Sequence, residues 1–336
     1  MKKNLSIKEI AKISGVSVAT VSRVINQNGR FSKETEKKVL EVIKKNNYKT
    51  NLVAKSLRLK QTNTIGVIVP DIKNEFFASI VSEIEEYFFQ NENYTVFICN
   101  TNGEQQKELD YLASLDSKGV DGLIYISGNH DTLQTSLRRE IPIVCIDRKP
   151  KNNKSITVVE SNNLDGGLQA TNLLINKGCK KVLILKGNSF TSTTLDRFKG
   201  YCEAIQKNNL NLDDELIINL ENTNFESAKT AINKLINKQV EFDGIFATND
   251  WLALGAIYAL KENNITVPEK VKVVGFDNIS ISKYNFPSLT TVNQNKELLG
   301  RSAVEALLDL MNKDLTKNYD STHIVLPINI VLRGTT

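Results

Sequence analysis

IKEIAKISGVSVATVSRVIN, residues 7–26, has the pattern of two short helices joined at a glycine. Ser6 followed three residues later by Glu9 has the form of a capping box, in which each side chain satisfies the other residue's backbone N–H. Ile7, Ile10 and Ala11 then share one helical face, and Gly15 permits the turn. Ser17 is placed to cap a second helix. In that helix Val21, Val24 and Ile25 point toward the first, while Val18, Ala19, Ser22 and Arg23 lie outward at i, i+1, i+4 and i+5. Such an outer face suits a DNA major groove, but two amphipathic helices around a glycine also occur in ordinary helical bundles.

Charge separates these readings. Residues 1–60 carry 15 Lys and Arg against 4 Asp and Glu, a net of +11, whereas the whole chain is +5 and the remainder therefore −6. Positive charge gathered at one end is expected of a segment that displaces counterions from phosphates. At 336 residues the chain is long enough for a head of about 60 residues and a much larger α/β body. The N-terminus has no apolar run of signal-peptide length and nothing downstream has the length of a membrane span, so a cytoplasmic protein is expected. Cys99, Cys145, Cys179 and Cys202 stand singly without CxxC spacing and are expected to be buried, reduced thiols.

From Thr64 onward, apolar runs of strand length alternate with amphipathic stretches of helix length. The runs cover 65–71, 94–101, 119–127, 141–147, 156–161, 180–187, 242–250 and 271–277, and helices are expected at 76–91, 105–118, 164–177, 226–238 and 251–263. Continuous Val and Ile runs suit strands buried on both faces of parallel sheets, with the helices as crossovers. By itself this repeat fits a dehydrogenase, a phosphatase or a binding protein equally.

GVSVATVSRVIN resembles the signature of the LacI/GalR transcriptional regulators. The resemblance continues through a third helix near 32–46 and YKTNLVAKSL (48–57), which is similar to that family's hinge helix, and extends to the C-terminus. Thr50 stands where family members usually have Pro, so the pre-set backbone angle at the hinge entrance is missing. The resemblance implies a helix-turn-helix head (1–49), a hinge helix and linker (50–61), and a periplasmic-binding-protein-like core (62–336) of two doubly wound subdomains. These are expected over about 62–161 with 291–321, and 162–290 with 322–336. Chain crossings are expected near 161, 290 and 322, with HIVLPINIVLRGTT returning to the second subdomain.

The resemblance further implies a homodimer on a near-palindromic operator, with a small effector between the subdomains. In the head, Arg23 has the two donors that suit guanine O6 and N7, while Val18 and Ala19 suit thymine methyls. Ser6, Ser17, Thr20, Ser22 and Asn26 are placed for phosphates. From the hinge, Asn51, Ala54 and Leu57 join the DNA-binding set, Leu57 by analogy as a wedge in the central base step.

Ligands of doubly wound sheets sit beyond the strands' C-terminal ends. Asn74, Phe76 and Phe77 follow the first run in NEFF, similar to the Asn-Pro-Phe-Phe of ribose-binding proteins with Glu75 in place of Pro. Asp147 and Arg148 end a later run, and Arg197 follows another strand and loop. Asn249, Asp277 and Gln294 align with sugar-contacting positions of the ribose-type pattern, with Asp250 positioning the helix after Asn249 and Phe225 as an opposite wall. Paired guanidinium and carboxylate groups hold vicinal hydroxyls, so a polyhydroxylated effector such as ribose is expected, releasing a repressor of a carbohydrate-use operon. A purine corepressor would keep Arg197 and Asp277 as well, and regulation through a protein partner also fits. A sugar-transport protein would need an export signal and gain nothing from the basic head. Enzyme motifs are lacking, His130 and His323 are the only histidines, and no cofactor or metal is expected.

Overall fold

The computed structural model describes residues 5–25, 27–46, 48, 61–92, 94–126, 137–148, 156–188, 191–312 and 322–336. Two compact units, Met1–Asn63 and Thr64–Thr336, each have their own core.

In the first unit, α1 (Ile7–Ser14) begins with the expected capping box. Ser6 Oγ accepts the Glu9 N–H, and Glu9 Oε2 accepts the Ser6 N–H at 2.6 Å. Gly15 ends α1 with φ of 64°, in the left-handed region where a side chain would cost roughly 1–2 kcal/mol. α2 (Val18–Ile25) follows, then α3 (Lys33–Lys45), capped by Ser32. Ile10, Ala11, Val21, Val24 and Val39 are buried where the three helices meet, with Ile25 half-buried at the rim.

The second unit contains two sheets of the same design. β1 (Thr64–Val69), β2 (Thr95–Asn100), β3 (Gly122–Ile126), β4 (Ile143–Ile146) and β5 (Thr157–Ser161) form the first, in order 2-1-3-4-5. β6 (Val182–Gly187), β7 (Ile217–Leu220), β8 (Gly244–Ala247), β9 (Lys272–Phe276) and β10 (Thr290–Gln294) repeat that order as 7-6-8-9-10 in the second. All these strands run parallel, and each order reverses beside the first strand of its subdomain, the place where doubly wound sheets bind ligands. Helices α4 (Glu75–Tyr87) and α5 (Gln105–Lys118) cross over in the first subdomain. The second subdomain has α6 (Asn163–Asn176), α7 (Ser192–Lys207), α8 (Phe225–Asn237), α9 (Asp250–Glu262) and the short α10 (Ser280–Tyr284).

The later crossings differ from expectation by a few residues. β10 lies wholly in the second sheet, beside β9, because Thr290, Thr291 and Gln294 are buried there; the crossing comes at Asn295, before α11 (Lys296–Met311) packs on α4. The terminal HIVLPINIV is split between sheets. β11 (His323–Leu326) adds parallel to β5 in the first, and β12 (Ile328–Val331) pairs antiparallel with β10 in the second. Pro327 between them has no N–H to continue a ladder, and the chain changes sheets there.

Cys99, Cys145 and Cys179 are buried free thiols, but Cys202 is only half-buried, because α7 packs on the sheet through Tyr201 and Ile205. Among the described residues no helix is long and apolar enough to cross a membrane, and no group of His, Cys, Asp and Glu is arranged to hold a metal ion. Ser6→Ala removes one half of the α1 capping box. It is expected to cost about 1 kcal/mol, read as faster amide exchange across α1 in the full-length protein; unchanged exchange would count against the cap.

Candidate functional site

On the head, Ser17 Oγ accepts the Thr20 N–H at 3.1 Å, which starts α2 at the residue whose neighbours must face outward. Val18 is 40 % exposed, Ala19 and Arg23 are exposed, and Thr20 and Ser22 are half-buried. The Arg23 stem runs beside Gly29, whose φ of 91° and missing side chain leave room for it. Ser6 is more committed than its sequence implied, since its hydroxyl donates to Glu9 at 2.8 Å. Every described Lys and Arg of the head is exposed, as phosphate contacts require. Asn26, Asn51, Ala54 and Leu57, with Thr50 and the expected hinge helix beyond Tyr48, lie outside the described residues.

In the core, Arg197 projects from α7 and is 8 % exposed. Its Nε donates to Asn163 Oδ1 at 2.8 Å and its Nη1 to the Thr248 carbonyl at 2.6 Å. Its guanidinium carbon lies 3.7 Å from the centre of the Phe276 ring, a cation–π stack. α6 and α7 approach closely enough to set this position because Gly167 and Gly200 face each other's helix. A Cβ on Gly167 would stand 2.2 Å from the Arg197 carbonyl oxygen.

Thus anchored, Arg197 Nη1 stands 3.7 Å from Asp277 Oδ1, which also accepts from Gln294 Nε2 at 2.7 Å. Gln294 is fully buried, and its Oε1 has no hydrogen-bond partner among the described residues, leaving an acceptor in an enclosed place. Asp277 and Asn278 have φ of 103° and 50°, a sparsely populated geometry for such residues. Lys296, from the crossing into α11, donates to both of their carbonyls at 2.8 and 3.0 Å.

From the first subdomain come Asp147 and Arg148. Asp147 is buried with φ of 72°, its N–H bonded to the Val159 carbonyl. The two pairs are near enough to interact: Asp147 raises the proton affinity of Asp277, and Arg197 disfavours the charge on Arg148. Carboxylates and guanidiniums from both subdomains therefore lie within electrostatic reach of one another.

Five other expected residues have structural partners of their own. Asn74 caps α4 through Phe76 N–H at 3.1 Å, while Phe76 is buried in the first subdomain's core and Phe77 packs edge-on against it. Asn249 caps α9 through Leu252 N–H at 2.7 Å and ties down the Thr223 carbonyl through Nδ2 at 3.0 Å. Phe225, at the start of α8, packs its ring edge-on against Tyr258, two turns into α9. Sequence reasoning passed over Asn163, Thr248, Phe276 and Lys296. Asn163 and Lys296 each follow the end of a strand, the signal that could have found them.

Asp250 does more than start α9. Its carboxylate accepts the Ile279 N–H at 2.8 Å and the Thr291 hydroxyl at 2.5 Å, fixing the loop that carries Asp277. Burial pushes the Asp250 carboxyl up to about 8, the charge of Asp277 adds to this, and the two hydrogen bonds oppose it. Burial likewise pushes Asp277 up to about 6, against the pull of Arg197 and Gln294. A carboxyl raised in the folded state keeps its proton while the unfolded chain loses one, so its contribution to stability falls as pH rises. Asp250→Asn is isosteric and does not ionise. Its melting temperature relative to the parent protein should rise by a few degrees between pH 5 and pH 8, with no difference in trend if Asp250 is ordinarily ionised.

Comparison with known proteins agrees with both halves. Residues 6–51 match the bacterial regulatory proteins of the lacI family, and residues 62–329 match the periplasmic binding proteins and sugar binding domain of the LacI family. The transcriptional regulator RegA of Clostridium saccharobutylicum is 34% identical over 336 residues, covering 98% of this chain and 99% of RegA. The helix-turn-helix-type transcriptional repressor PurR of Haemophilus influenzae is 36% identical over 314 residues, covering 92% of each. A LacI-type regulator from Alkaliphilus metalliredigens, solved with D-xylulofuranose, is 32% identical with a TM-score of 0.71, covering 82% of this chain and 99% of that one. This chain belongs to the LacI family of DNA-binding transcriptional repressors, which are not enzymes.

Proposed function

We propose that this repressor controls a carbohydrate-use operon, binds a near-palindromic operator as a homodimer in the cytoplasm, and is released by a sugar effector of the pentose class, such as ribose. The grouping of acceptors and donors at the strand ends carries this reading. Asp147, Asp277 and Gln294 Oε1 are able to accept hydrogen bonds, and Arg148 and Arg197 to donate them, with Arg197, Asp277 and Gln294 in mutual contact. A hydroxyl both donates and accepts, so a ring bearing several of them matches such a mixed set. The relative solved with D-xylulofuranose adds support from outside the chain. Support for the dimer comes from large apolar side chains left on the surface of both subdomains. Phe97 and Ile98 are exposed on the edge strand β2, and Tyr284 and Phe286 are 73% and 91% exposed, areas that a second copy would cover.

The likeness to the repressor PurR favours a second reading, in which Arg197 and Asp277 hold a purine that strengthens DNA binding. The two differ in sign. Fluorescence anisotropy with operator DNA should show affinity falling as a pentose is added; sugars without effect together with tightening by a purine would replace the first reading with the second.

On the head, Arg23 is the only long charged side chain from Val18 through Asn26. Arg23→Ala is expected to lose about 1–3 kcal/mol of discrimination at one base pair of each half-site, with a smaller loss on random DNA. Equal losses on operator and random DNA would reduce Arg23 to a phosphate contact.

A further inference from the structure

Glu75 stands where the related Asn-Pro-Phe-Phe motif has proline, at the first position of α4 in the first subdomain. Its carboxylate leaves that subdomain. Oε1 accepts the Ser280 N–H at 2.7 Å and Oε2 accepts the Ser280 hydroxyl at 2.6 Å, at the start of α10 in the second subdomain. The residues around Ser280 are shared between the subdomains in the same way. The Ile279 side chain is buried in the core of the first, among residues of β1, α4 and α11, while its N–H is bonded to Asp250 in the second. Two residues earlier lies Asp277, the carboxylate opposite Arg197.

We propose that Glu75 and Ser280 form a latch between the two subdomains, which stabilises the arrangement in which the effector residues face one another and so sets how far the repressor is biased toward release before any effector binds. This rests on the reading that the effector lies between the subdomains. A charged acceptor taking two hydrogen bonds from one residue is among the stronger polar contacts a surface offers. Neither Glu75 nor Ser280 is among the residues assigned to the ligand. Effector and latch favour the same arrangement, so breaking the latch acts against the effector.

Proline separates the latch from the fold. Glu75 and Ser280 are each the first residue of a helix, where proline is well tolerated, and the preceding Asn74 and Ile279 have extended backbones compatible with it. Glu75→Pro removes the carboxylate, Ser280→Pro removes both donors, and Ser280→Ala removes the hydroxyl alone. In full-length protein without sugar, each proline variant should bind operator about fivefold more tightly and exchange the amides of residues 281–285 faster. The double variant should go no further than either single one, and Ser280→Ala should fall between. Operator affinities within twofold of the parent, or effects of the two prolines that add, would overturn the latch. Neither readout uses a sugar, so a coupled response in a protein that binds no pentose would discard the effector assignment and keep the latch.

Discussion

A guanidinium buried in a protein is tolerable only where its donors and charge are answered, and Arg197 concentrates that requirement at one point of the core. Asn163 answers it from the start of α6, the Thr248 carbonyl from the end of β8, Phe276 with its ring from β9, and Asp277 with its charge. These partners come from separate strand ends, so satisfying the arginine also fixes where the chain leaves β8 and β9 of the second sheet and where it enters α6 after β5 of the first. The glycine contact between α6 and α7 belongs to the same constraint, since the arginine reaches its partners only if the helices nearly touch.

Asp277 is held with comparable firmness from below. Asp250 carries the loop through Ile279 and Thr291, Lys296 gathers two carbonyls, and Arg333 reaches Asn278 Oδ1 at 2.7 Å and Ser282 Oγ at 2.9 Å. The residues at 277 and 278 can therefore keep backbone angles they would not adopt alone. Lys296 begins the helix that returns to the first subdomain, so the loop bearing Asp277 is tied directly to a chain crossing. A ligand that alters Asp277 acts on a segment already shared by both subdomains. Differential contacts of this kind are what a population shift needs.

Short-range features were legible in the linear chain because they depend on neighbours within a turn or two. The α1 capping box, the Gly15 turn and the inward Val21 and Val24 follow from spacing alone. The eight apolar runs found β1 to β6, β8 and β9 for a similar reason, although β2 lies at the sheet edge with Phe97 and Ile98 exposed rather than buried on both faces, and the strand-end rule led to Asp147, Arg148, Arg197, Asp277 and Gln294. β7 and β10 escaped because IINL is short and half-exposed and TTVNQ is mostly polar, buried through pairing with β9 rather than through hydrophobicity. The contact of Phe225 with Tyr258 was not legible in the sequence, because α8 and α9 meet only in the folded chain.

The amino-acid sequence by itself determined that a basic helix-turn-helix head precedes a doubly wound α/β core, since helix caps, hydrophobic period and charge are local quantities. Only the tertiary structure decided which polar residues meet. Asn163 and Arg197 are 34 residues apart, Arg197 and the Thr248 carbonyl 51, and Glu75 and Ser280 205. No local pattern encodes such pairings, because they are fixed by strand order, by close helix approach and by the need of buried charge for partners.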